Sequence, residues 1–117
     1  MTNQAIGRGG ETIAKNYLIN QGFTVLHKNY RTKGGEIDII AKKEKTIYFI
    51  EVKTRYDDTK GKPYEAVDKR KVIHLQRAAN FFLLKNPAKD YKLKIGVISI
   101  LLEKKEIRFY KDLSWSS

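Results

Sequence analysis

This chain of 117 residues has no cysteine, two prolines and one tryptophan. Without thiols it forms no disulfide and no thiolate metal site. It also lacks a long apolar run: no stretch approaches the ~20 apolar residues of a membrane span. The first residues, Met1-Thr2-Asn3-Gln4, show no apolar run after a basic segment. No signal peptide is read there, and a cytoplasmic location is the expectation. Acidic residues are also scarce. Thirteen face 24 lysines and arginines, for a net charge of +11.

What is present fits one domain, residues 1–117, large enough for a single core. Apolar residues make up 41% of the chain, too many for a disordered segment. The positive charge is uneven. Between Asp68 and Lys94 stand eight basic residues and two acidic ones, a net +6. Such an excess on a small domain points to a polyanion, and nucleic acid is the expected partner. The competing reading is an ordinary lysine-rich surface. A membrane surface is disfavoured, because no amphipathic helix carries the bulky apolar face that such binding needs.

The most informative stretches are Gly35-Glu36-Ile37-Asp38-Ile39-Ile40 and Phe49-Ile50-Glu51-Val52-Lys53-Thr54. Three ionisable residues, Asp38, Glu51 and Lys53, interrupt segments that otherwise read as buried strand. Charged side chains are seldom buried unless they are paired or bind a metal. Side chains alternate along a strand, so Glu51 and Lys53 share a face, roughly 7 Å apart at the backbone. Asp38 meets them if its strand pairs with the next through the polar turn Lys42-Lys43-Glu44-Lys45. Two carboxylates then suit Mg²⁺ (or Mn²⁺), a hard cation that prefers oxygen. Such a metal activates water and neutralises charge developing on a phosphate, while Lys53 contacts the phosphate or orients the water. The plainer reading is an exposed hairpin with a surface Glu51–Lys53 ion pair of little energetic value.

A coarse pass gives the order αβββαβ plus an edge strand. Ile6, Ile13, Ala14, Tyr17 and Leu18 recur at helical spacing over Gln4 to Gln21, and Gly22 is a stop signal. Gly9-Gly10 is expected to weaken the first turns. Strands are expected at Thr24–Tyr30, Glu36–Ala41 and Thr46–Arg55, followed by a polar loop from Asp57 to Pro63. The second helix begins at Glu65 or Asp68 and runs to Leu84, with Val67, Val72, Leu75, Ala79, Phe82 and Leu83 facing the core. Asn86-Pro87 ends it. The apolar run Val97–Leu102 predicts a strand buried on both faces, from Leu93 to Leu102. Glu106–Tyr110 follows a turn, and Trp115 with Leu113 is expected to dock the C-terminal tail. His27 and His74 have no metal-ligating partner at suitable spacing and read as ordinary surface or core residues. Tyr30, Tyr56 and Tyr64 are candidates for stacking on bases, though such tyrosines are more often half-buried.

Beyond these readings, the order Glu-Ile-Asp and then Phe-Ile-Glu-Val-Lys-Thr-Arg resembles the PD-(D/E)xK nuclease superfamily. Gly7-Arg8-Gly9-Gly10-Glu11, Gly22-Phe23, Asn29-Tyr30-Arg31 and Glu65-Ala66-Val67-Asp68-Lys69-Arg70-Lys71 resemble the small bacterial YraN-like family, uncharacterised but grouped with archaeal Holliday-junction resolvases. The resemblance covers nearly the whole chain. It departs at one position: where such proteins usually show Arg-Phe-Asp-Val, this chain has Lys94-Ile95-Gly96-Val97.

The resemblance implies an α/β, restriction-endonuclease-like fold with a central mixed sheet flanked by helices. It implies a Mg²⁺- or Mn²⁺-dependent DNA endonuclease, with branched or junction DNA as the substrate class. Asp38 and Glu51 would hold the metal, with Glu11 assisting from the first helix. Lys53 would orient water or stabilise the phosphorus, and Glu36 would be a further ligand or support a ligand from behind. Arg8, Arg31, Arg55, Lys69 and Lys71 are candidates for phosphate contacts. Cleaving branched DNA would call for a two-fold homodimer. The alternative is a nucleic-acid-binding module that keeps the fold without catalysis, and a third reading is a basic face that meets an acidic protein.

Overall fold

The computed structural model describes residues 2–113. Helix α1 spans Asn3–Asn20, and strands β1 (Thr24–Thr32), β2 (Gly35–Lys43) and β3 (Thr46–Arg55) follow as a meander. A 3-10 turn at Pro63–Ala66 leads into α2 (Lys69–Lys85), then β4 (Lys92–Leu101) and β5 (Glu106–Tyr110). The five strands lie in the order β1-β2-β3-β4-β5. Only β3 and β4 run parallel, because α2 is the crossover between them. The chain is therefore a mixed α/β fold with the expected αβββαβ order and one further antiparallel edge strand. No helix of the described residues is long and apolar enough to cross a membrane.

The two faces of the sheet carry separate cores. On one, Ala14 and Leu18 of α1 pack with Ile39, Ala41, Tyr48, Ile50, Val52, Ile98 and Ile100. On the other, Val72, Leu75, Ala78, Ala79 and Phe82 of α2 pack with Ile37, Ile40, Ile47, Phe49 and Ile95. Covering both faces explains why β4 is apolar without interruption from Ile95 to Leu101. Each fully buried Ile, Leu or Phe contributes about 1.5–3 kcal/mol.

Two local features differ from the sequence expectation. Helix α1 continues through Gly7, Gly9 and Gly10 and begins at Asn3, capped by the Thr2 hydroxyl, which accepts the Ala5 N–H at 3.0 Å. The packing accounts for Gly10: a Cβ there would fall on Thr54 Oγ1 of β3, so the absent side chain is what lets the helix approach the strand. Strand β1 runs two residues beyond Tyr30 and closes a hairpin through Lys33-Gly34. The expected docking of Trp115 lies outside the described residues.

Candidate active site

The antiparallel pairing of β2 with β3 runs from Lys43–Thr46 to Ile39–Ile50 and stops. The next residues in register are Asp38 and Glu51. There the strands part, and a side chain takes over from the backbone. The Val52 N–H donates to Asp38 Oδ2 at 2.8 Å. On the other side of β2, the ladder with β1 passes over Asp38 as well, opposite Asn29, whose φ of 52° kinks β1. Asp38 therefore sits where the β2–β3 ladder ends, beside an unpaired step of the β1–β2 ladder. Ile37 and Ile40 both face the α2 core across this break, although strict alternation would send them to opposite faces.

Asp38 and Glu51 come together in this wedge. Glu51 is buried between Ile50 and Val52. Its carboxylate lies within hydrogen-bonding reach of Asp38. Burial first, and then the neighbouring Glu51 carboxylate, push the Asp38 pKa from 3.8 up to about 8. The Val52 N–H opposes this by favouring the charged form, and the more distant charge of Glu11 adds to the rise. Near neutral pH the carboxylate pair therefore holds a proton.

The cation in contact with the pair comes from α2. Lys71 Nζ lies 2.8 Å from Glu51 Oε2. The distance is that of an ion pair, but the oxygen receives no well-aligned hydrogen bond and remains a buried acceptor with unused lone pairs. Lys71 stands in the first turn of α2, its own N–H held at 3.0 Å by the Asp68 carboxylate that caps the helix. Burial lowers the Lys71 pKa, but Glu51, Asp38 and Glu36 together outweigh it, and the net shift is upward. The sequence makes Lys71 a candidate for a phosphate contact, and the fold sets its ammonium against Glu51. The available signal was the cap: Asp68, three residues ahead of Lys71, starts the crossover helix.

The other expected residues fall around this pair. Lys53 lies two residues beyond Glu51 on β3, half-buried, and makes no ion pair with either carboxylate among the described residues. With Arg55, Tyr56 and Lys60 it lines an open groove of about 490 Å³, closed on one side by Ile6 and Gly7 of α1. Glu11 is half-buried on α1 and reaches Asp38 through its charge. Glu36 lies 3.7 Å from Arg31 on the neighbouring strand, and its charge also reaches Lys71. Arg8 and Lys69 are exposed. Among the described residues, no group of three or more His, Cys, Asp or Glu side chains gathers closely enough to hold a metal. The carboxylates that meet are two, Asp38 and Glu51.

The remaining candidates are structural. Tyr30 packs edge-on against Phe82 and His27, and Tyr64 lies on Tyr110. Tyr56 alone of the three is free to stack, 54% exposed at the groove. Gly96 pairs with Ile50 and so lies on the α1 face, opposite that of Glu51. A Cβ there would meet Phe109 Cε1 at 2.9 Å and the Tyr110 carbonyl at 3.1 Å. The aromatic ring of β5 occupies the space an aspartate would need, on the sheet face away from Glu51.

Comparison with known proteins places the chain in a family. The model of Uncharacterised protein family UPF0102 matches residues 10–100. The chain belongs to that family. A UPF0102 protein of Caldicellulosiruptor bescii is 40% identical over 117 residues, covering 96% of this chain and 98% of the relative. One of Clostridium kluyveri is 46% identical over 99 residues, covering 85% and 81%. One of Fusobacterium nucleatum is 37% identical over 115 residues, covering 98% and 95%. UPF0102 is the YraN-like family that the motifs resemble. The matched segment includes Glu11, both carboxylates of the pair, Lys53 and Lys71.

Proposed function

We propose that this protein is a metal-dependent DNA endonuclease of the PD-(D/E)xK type, hydrolysing a phosphodiester at the Asp38–Glu51 pair. The observation that carries the reading is the pair itself: two carboxylates meet where the β2–β3 ladder ends, Glu51 buried and Asp38 held by the Val52 N–H. Such a pair is costly to bury and contributes little to stability, so it marks a site that expects a cation.

The residues fit a hard divalent cation. Glu51 Oε2 is a buried acceptor beside the Lys71 ammonium, at 2.8 Å, and Asp38 keeps Oδ1 beyond the oxygen engaged by Val52. Mg²⁺ or Mn²⁺ held there would supply Lewis acidity toward a phosphate and its attacking water. The chain's own contributions are separable. The Val52 N–H fixes the orientation of Asp38. Lys53, on the Glu51 face of β3, holds a phosphate oxygen at the mouth of the groove. Arg55 and Lys60 draw the adjoining backbone phosphates, and Tyr56 offers a face to a base. The net charge of +11 favours DNA as the partner and speeds encounter. Branched or junction DNA, cut by a two-fold dimer in the cytoplasm, is the form of this reading closest to the resolvase resemblance.

The test is incubation with junction, flap, single-stranded and duplex DNA in the presence of Mg²⁺ or Mn²⁺. Cleavage that disappears on Asp38→Asn is the expected outcome. Binding without cleavage by folded, metal-loaded protein would favour a second reading, a nucleic-acid-binding module. One observation favours that alternative: no third metal-ligating side chain joins the pair among the described residues.

A further inference from the structure

Glu51 is an acid whose side chain is 6% exposed, and a buried carboxylate must be compensated. The compensating charge is the Lys71 ammonium, 2.8 Å from Oε2. Two features show that this contact can be exchanged. The ammonium meets Glu51 Oε2 at poor hydrogen-bond angles, so charge supplies most of what holds it there. The Lys71 side chain is also 37% exposed, so its flexible four-carbon stem opens to solvent while its backbone stays anchored to Asp68.

Resting on the metal-centre reading above, we infer that Lys71 is a built-in counter-ion that holds the cation position of the carboxylate pair in the metal-free protein and leaves Glu51 Oε2 when a divalent cation enters. An ammonium and a divalent cation cannot share one carboxylate oxygen without repelling each other. Metal entry therefore expels the ammonium toward solvent, to which its side chain is already 37% exposed. The metal-free fold is protected from an uncompensated buried acid, at the cost of weaker metal binding.

The experiment is calorimetric titration of the full chain with Mn²⁺, comparing the unmodified protein with Lys71→Met and Lys71→Arg. Methionine keeps the stem and removes the charge, so Mn²⁺ should bind about fivefold tighter or more. Arginine keeps the charge and should leave affinity close to that of the unmodified protein. Binding seen only in Lys71→Met would support the inference equally. Equal or weaker binding by Lys71→Met, with the unmodified protein still binding, overturns the inference and leaves the metal centre standing. No Mn²⁺ binding by either protein overturns both.

A measurement on the unmodified chain covers the case in which Lys71→Met does not fold. Lysine acylation followed by mass spectrometry should show Lys71 labelling faster with Mn²⁺ present, against exposed Lys69 as the internal reference. Unchanged or slower labelling of Lys71 would overturn the inference.

Discussion

The Val52 N–H donates to Asp38 Oδ2 at 2.8 Å, in the position where the β2–β3 ladder would otherwise continue. This one bond holds the carboxylate inside the sheet and keeps the strands apart. An asparagine at 38 can accept the same N–H, so charge and shape can be separated by experiment.

Stability should report the proton on Asp38. A carboxyl whose folded pKa is about 8, against an ordinary 3.8, is protonated in the folded chain and ionised in the unfolded one across that range. Its contribution is fully present below about 4, is lost as pH rises and levels off above about 8. Asp38→Asn should therefore be more stable than the unmodified protein at pH 8, by about 1–3 kcal/mol, with little difference at pH 4. Urea unfolding at the two pH values measures this. A variant less stable at both would contradict the shift.

Catalysis should depend on each member of the site separately. Asp38→Asn and Glu51→Gln should each abolish metal-dependent cleavage with the fold intact by circular dichroism. Lys53→Ala should lower the rate by about 10²-fold or more while leaving Mn²⁺ affinity largely unchanged. Cleavage that survives Asp38→Asn would move the chemistry elsewhere.

DNA binding should weaken steeply with salt, because lysines and arginines that displace counterions drive it. Arg55→Ala and Lys60→Ala, both in the groove beside Lys53, should each reduce the slope of log K against log salt by about 1. A flat salt series would remove nucleic acid as the partner.

Gly10→Ala should destabilise the fold by about 1–3 kcal/mol, because its Cβ would be forced into Thr54 of β3. Gly9→Ala is the control. No atom comes within 4 Å of a Cβ built there, and alanine is the better helix former. Thermal melting of the two variants should move in opposite directions.

Gly96→Asp supplies the residue that the family pattern usually has. Its Cβ would meet the Phe109 ring and the Tyr110 carbonyl on the face away from Glu51. The melting temperature should fall, with no gain in Mn²⁺ affinity. Tighter metal binding by that variant would show that the position communicates with the carboxylate pair.

Periodicity and punctuation were enough to read the order of elements. Ala14 and Leu18 fall on one stripe of α1, and Val72, Leu75, Ala79 and Phe82 on one stripe of α2. The unbroken run in β4 announced a strand covered on both faces. Local sequence carries this information because helix and strand impose different repeats on the same apolar residues. Asp38, Glu51 and Lys53 were also legible, as charges in segments too apolar to expose them. The contacts were not. Whether Asp38 meets Glu51 depends on where the β2–β3 ladder ends, and no residue type encodes that end. That Lys71 rather than Lys53 touches Glu51 follows from where the crossover sets the first turn of α2. The role of Gly10 follows from how closely α1 lies on β3. Each is a relation between residues distant in sequence, set by packing of two faces onto one sheet. The sequence determined the elements and the chemistry available, and the tertiary structure alone decided which charges meet.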